Sequence, residues 1–144
     1  MKLRPGVRAD LVAAEPLVAS PVAAAFDEDA RLYVVEMRDY PHPEQHDQRL
    51  GRIRLLFDDN DDGVYDRATV FAKDLGWPTA VICWDGGVFI ACTPDILYLK
   101  DTDNDGVADV RKVAFTGLAA GSPRLNVQAL ANAFNWGLDN RIHL

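Results

Sequence analysis

Cysteine is scarce in this chain: Cys83 and Cys92 are the only two. Both sit in apolar, strand-like runs. A disulfide between them is left open, and the favoured reading is two small buried side chains. Long apolar runs are lacking too. None approaches the roughly 18 residues a membrane-spanning helix needs. The N-terminal MKLRPGVRADLVAAEPLVAS carries early positive charge, but Asp10, Glu15 and Pro16 interrupt any apolar signal core, so no export signal is expected in the chain as written. There is no basic stripe, which argues against a nucleic-acid partner. A Ser-His-Asp set, a phosphate loop, a Cys/His zinc pattern and a CxxCH haem motif are all missing. No complete catalytic site can be read.

What is present fits one ordinary globular domain, with 49% apolar and 26% charged residues in 144. The formal net charge is −7, yet the acidity is local. DDNDDGVYD (58–66) and DTDNDGVAD (101–109) together hold 9 of the 22 acids, which leaves the rest of the chain near +2. Two unit charges about 5 Å apart repel by about 1 kcal/mol in water and by about 3 at an effective dielectric near 20. Loops this acidic splay open unless a cation sits among the carboxylates.

Counted from the first Asp, positions 1, 3 and 5 are Asp58, Asn60 and Asp62 in one loop, and Asp101, Asp103 and Asp105 in the other. Position 6 is Gly63 or Gly106. Position 7, Val64 or Val107, offers a backbone carbonyl, and position 9 is Asp66 or Asp109. Oxygen donors at this spacing suit Ca²⁺, which takes about 6–8 of them; Mg²⁺ rarely accepts an all-protein cage. Position 12 is Thr69 or Lys112, and the flanks are β-like, so an EF-hand is excluded. In the first loop the extra Asp59 and Asp61 are expected to face solvent.

The two loops belong to a longer repeat. IRLLFDDNDDGVYDRATVFAKDL from Ile53 aligns without a gap on ILYLKDTDNDGVADVRKVAFTGL from Ile96, an offset of 43 residues. An apolar run, an Asp turn and a short strand also recur, in AAAFDEDARLYVVE, AVICWDGGVFIA and FNWGLDNRIHL. Strands are expected at 21–26, 31–36, 52–57 and 67–72, then at 79–84, 87–92, 95–100 and 110–116. A third unit begins near 131–138, and 7–14 reads as an outer closing strand. LNVQALANAFNW is taken as a loop and a strand, not a helix.

Four-stranded units in series predict an all-β fold, a partial β-propeller. Unit one spans about 7–75, unit two about 76–118, and the start of unit three about 125–144. That is about two and a half blades where rings close with about four to eight. The expected partners are therefore the remaining blades, or other copies of the chain meeting at exposed strand edges.

The acidic loops join the third and fourth strands, so the connection 37–51 emerges on the opposite face. It is long and polar, a suitable place for function, and its candidates are Glu36, Arg38, Asp39, Tyr40, His42 and His46. Pro41 and Pro43 rule out a helical pair of metal-binding histidines, and both are expected to be ordinary loop residues. Glu36 and Arg38 read equally as a structural ion pair, and Trp77, Trp84 and Trp136 as core.

Taken together, LVAAEPLVASPVAAAFDEDARLYVVEMRDYP, GRIRLLFDDNDDG, PDILYLKDTDNDGVADVRKVAFTGL and NWGLDNRIHL resemble the opening of PVC-type membrane-bound dehydrogenases. Their propeller is similar to that of soluble quinoprotein glucose and sorbosone dehydrogenases. The resemblance implies a six-bladed ring, a periplasmic or extracellular location, and, in full-length relatives, a pyrroloquinoline quinone that oxidises a sugar or alcohol. Catalytic and quinone-binding residues would lie in later blades, so none is assigned here. Fold alone does not fix chemistry. A non-enzymatic binding or adhesion module and a lactonase-like hydrolase are the alternatives.

Overall fold

The computed structural model describes residues 3–40, 48–119 and 130–144. Its elements are all β. The strands are β1 (Pro21–Phe26), β2 (Leu32–Glu36), β3 (Gly51–Phe57), β4 (Arg67–Leu75), β5 (Pro78–Trp84), β6 (Gly87–Cys92), β7 (Asp95–Lys100), β8 (Val110–Thr116), β9 (Asn135–Trp136) and β10 (Ile142–His143). They form two four-stranded antiparallel sheets in plain sequential order, β1-β2-β3-β4 and β5-β6-β7-β8, and the hairpin β9-β10. No α-helix occurs among the described residues.

Local chemistry explains the meander. Asp85 and Gly86 have φ of 51° and 68°, which makes the two-residue turn between Trp84 and Gly87 one that follows the twist of its strands. The β1–β2 turn is longer and uses a side chain. Asp27 accepts from the backbone N–H of Asp29 and Arg31 and from the Arg31 guanidinium at 2.7 Å. The 43-residue echo is structural as well. Pairing slips between Ile53 and Arg54 in the first sheet, and between Ile96 and Leu97 in the second. Slips also fall between Pro21 and Ala23 and between Pro78 and Ala80.

The two sheets share one core. Tyr33, Val35, Ile53, Leu55, Phe71 and Leu75 of the first pack with Val81, Val88, Ile90, Cys92, Leu97 and Leu99 of the second. Tyr33 meets Phe71 edge-on, with ring centroids 5.0 Å apart. Alternation in the strands generates this layer, because side chains at i and i+2 share a face. β5 packs beside β1 and β2, so the sheets stack in chain order. The opposite face of the first sheet forms a smaller cluster, Leu32, Val34, Leu56 and Tyr65, covered by Ala13, Leu17 and Val18.

Several expectations need correction. Residues 7–14, exposed except for the half-buried Ala13, form no strand, although the Val12 carbonyl accepts from Tyr65 N–H at 2.8 Å. The reason is that no partner strand lies along them among the described residues. β4 extends to Leu75 rather than stopping near 72, and among the described residues the strand expected at 131–138 is confined to Asn135–Trp136, paired with Ile142–His143. Only Trp77 of the three tryptophans is core, at 3% exposed; Trp84 and Trp136 are 47% and 53% exposed. Trp84 of β5 and Trp136 of β9 both line a hollow of about 340 Å³, left where the β9-β10 hairpin incompletely covers the second sheet. Both cysteines are free, with Cys92 buried and Cys83 half-buried.

Candidate metal centre

Each acidic loop caps the hairpin of the third and fourth strands in its sheet. Asp61 and Gly63 in the first loop, and Asn104 and Gly106 in the second, have positive φ between 58° and 84°. Glycine takes this region freely, and Asp and Asn tolerate it. The reversals let carboxylates turn back on their own backbone. In the first loop Asp58 accepts from Asp62 and Gly63 N–H, Asn60 from Asp62 N–H, and Asp62 from Val64 N–H. In the second, Asp101 accepts from Asp103, Asn104 and Gly106 N–H, and Asp105 accepts from Val107 N–H.

The last acid closes each loop. Asp66 accepts from Asp59 N–H, and Asp109 from Thr102 N–H and its hydroxyl. Those Thr102 bonds hold the Asp109 carboxyl below its ordinary range. Asp103 is held above it: a hydrogen bond from Asp105 N–H pulls down, but repulsion from Asp105, Asp109 and Asp101 outweighs that.

Asp101, Asp103 and Asp109 each offer a carboxylate oxygen within 4.8 Å of the others. A cation bound at about 2.3–2.6 Å per oxygen fits between donors at that separation. Asp105 is oriented toward the Val107 amide instead. In the first loop the Asn60 amide nitrogen faces Asp66 at 3.4 Å, so a donor occupies the place an acid would fill. Val64 and Val107 are both 45% exposed. Asp59 is not idle in solvent: it pairs with Arg67 at 2.8 Å, whose guanidinium lies 3.7 Å from the centroid of the Phe57 ring.

The second loop is anchored to the first sheet. Ala108 N–H donates to the Phe71 carbonyl at 2.8 Å, and the Thr69 hydroxyl donates to the Gly106 carbonyl at 2.6 Å. Arg111 donates to the carbonyls of Lys73 and Asp74. Sequence spacing did not reveal this tie, because Thr69 and Gly106 are far apart in the chain.

On the opposite face, Glu36 does not pair with Arg38. It is fully buried, accepts from Ala19 N–H at 2.7 Å and bonds the Arg52 guanidinium, while Arg38 is exposed. Asp39 is also fully buried, and neither carboxylate oxygen has a hydrogen-bond donor among the described residues. Tyr40 is 44% exposed. His42 and His46 lie outside the described residues.

Fold and site together define a class: an all-β protein with two four-stranded antiparallel sheets, each carrying an aspartate-rich hairpin loop. The chain belongs to the family described as "Domain of unknown function (DUF7133)", whose profile matches residues 1–144. No curated protein and no solved structure matches it.

Proposed function

We propose that the chain is part of a calcium-braced β-propeller, and that its two acidic loops are structural Ca²⁺ clips. The observation that carries the reading is the convergence of Asp101, Asp103 and Asp109 at a hairpin tip, in a loop whose sequence recurs in register in the preceding sheet. Asp58, Asn60, Asp62, Asp66 and the Val64 carbonyl would serve the first ion. Asp101, Asp103, Asp105, Asp109 and the Val107 carbonyl would serve the second. Bound calcium offsets carboxylate repulsion and favours the folded chain by mass action. Stacking of the sheets in chain order through one shared core supports the propeller.

On this reading the chain is a scaffold, and the resemblance to quinoprotein sugar dehydrogenases makes a sorbosone- or glucose-dehydrogenase-like oxidoreductase the expected whole. Calorimetric titration with calcium tests the clips, with saturable uptake at two sites expected. Absence of heat and of stoichiometric uptake by folded protein overturns them. Sugar oxidation with added quinone and calcium, in a chain carrying further blades, tests the enzymatic half separately.

A further inference from the structure

We propose that the open face of the second sheet docks the first sheet of a second copy of this chain, head to tail. The inference rests on the propeller half of the reading above, in which repeated sheets stack through the same faces. The calcium clips do not enter it.

Strand register shows which faces correspond. Leu32 pairs with Leu56, and Val88 with Leu99, 43 residues after Leu56. Leu32, Val34 and, across the first hairpin, Ala24 and Phe26 thus match Val88, Ile90, Val81 and Cys83. Trp136 pairs with Ile142 across a turn as long as that between Phe26 and Leu32. Phe134, Trp136, Ile142 and Leu144 are therefore the third instance of the same row.

Two of the three rows meet a sheet. The second packs in the core shared with the first sheet, and the third lines the hollow over the second sheet. The first row meets no sheet among the described residues. A short N-terminal stretch covers Leu32 and Val34 but leaves β1 bare. Ala24 is exposed there, with Val22 at 50% and Phe26 at 65%. β1 is an edge strand of its sheet, so this row is open to another molecule.

The receiving face is underfilled. Tyr33, Ile53 and Leu55, which receive the second row, match Phe89, Ile96 and Tyr98. Trp84, Phe89 and Tyr98 form a ring cluster there, with centroids 5.1 to 6.0 Å apart. Trp84 stays 47% and Phe115 66% exposed. Over them the β9-β10 hairpin sets two strands of two residues and leaves about 340 Å³ unfilled. A lone hairpin holds weakly, and a four-stranded sheet carrying the same row displaces it. Aromatic side chains of this kind make up the centres of protein interfaces. The row that fits this face is carried by the chain itself, which makes the occupant a second copy. The two faces differ, so the contact is heterologous and repeats from copy to copy.

Sedimentation velocity of the intact chain over a wide concentration range tests this, and a mass that rises reversibly with concentration is expected. Phe26→Glu breaks the row; Trp84→Glu, with Phe115→Glu as a second variant, breaks the receiving face. These side chains are largely exposed, and circular dichroism checks that each variant folds. Each alone should weaken association tenfold or more. Phe26→Glu mixed with either receiving-face variant should form a one-to-one dimer, because each supplies the face the other lacks. Trp136→Ser, which loosens the competing hairpin, should tighten association. A parent monomeric at every concentration, an undiminished Phe26→Glu, a mixture that stays monomeric, or weaker association in Trp136→Ser each overturn the docking. The stacked-sheet reading is judged separately, by the stability cost of Phe71→Ala, whose ring lies between the two sheets of one copy.

Discussion

On the clip reading, replacing Asp101 by alanine separates two contributions that one carboxylate makes. In the absence of calcium the side chain accepts three backbone N–H groups, from Asp103, Asn104 and Gly106, at 3.1, 2.7 and 2.8 Å. Each is charge-assisted, but the loop is open to water, so the amides can solvate when the carboxylate is lost. The cost is about 1–2 kcal/mol in total, below the sum of three buried bonds. For a chain of this size that lowers the melting temperature by about 4–7 °C. Calcium at about 100 times its dissociation constant adds about 2.7 kcal/mol for each clip in the parent. The variant keeps the first clip and loses the second. The gap between parent and variant should therefore widen to about 4–5 kcal/mol in calcium and shrink again with chelator. Thermal denaturation followed by circular dichroism, with and without chelator, reads this directly. A gap that calcium does not change refutes the clip; parent and variant melting together refute the hydrogen-bond assignment as well.

Other consequences follow from particular contacts. Phe71→Ala removes a ring that is 1% exposed and joins both sheets, and should cost about 3–5 kcal/mol in chemical denaturation; a loss below about 1 kcal/mol would contradict the shared core. Thr69→Val keeps the shape but loses the hydroxyl bond to Gly106, so about 0.5–1.5 kcal/mol should be lost, and on the clip reading calcium affinity at the second loop should fall; unchanged values for both speak against the anchor. Glu36→Ala leaves Arg52 and Ala19 N–H without their buried acceptor and should destabilise by about 3–5 kcal/mol, measured the same way, with a loss under about 1 kcal/mol counting against it. Burial pushes the Cys92 thiol up to about 12. The folded chain should thus resist alkylation at pH 8, and stability should be unaffected by this group below about pH 9. Above that the unfolded thiol ionises while the folded one does not, so stability falls by roughly 1 kcal/mol per pH unit up to about 12. Rapid native alkylation at pH 8 would show that Cys92 is not enclosed.

The strands and the order of their pairing could be read from the residue pattern. Val, Ile and Leu alternate at period two, and Asp-Gly turns admit only short connections, so β5 to β8 form a meander from local information alone. The second acidic loop was legible for the same reason, since three of its carboxylate oxygens are brought together by the turn that also brings the backbone round on itself. Tertiary structure decided what depends on a neighbour. Glu36 could not be assigned to Arg52 rather than Arg38 until β2 and β3 were in register. The fate of the tryptophans depended on which sheet face is covered, and sequence pattern alone cannot say that a face is left open. Segment 7–14 has strand-like residues but no partner along it among the described residues, and a strand exists only when its backbone groups are paired. The orphaned Asp39 and Thr93 belong with these, because burial of a polar side chain is a property of what packs around it, and that is settled only when distant parts of the chain meet.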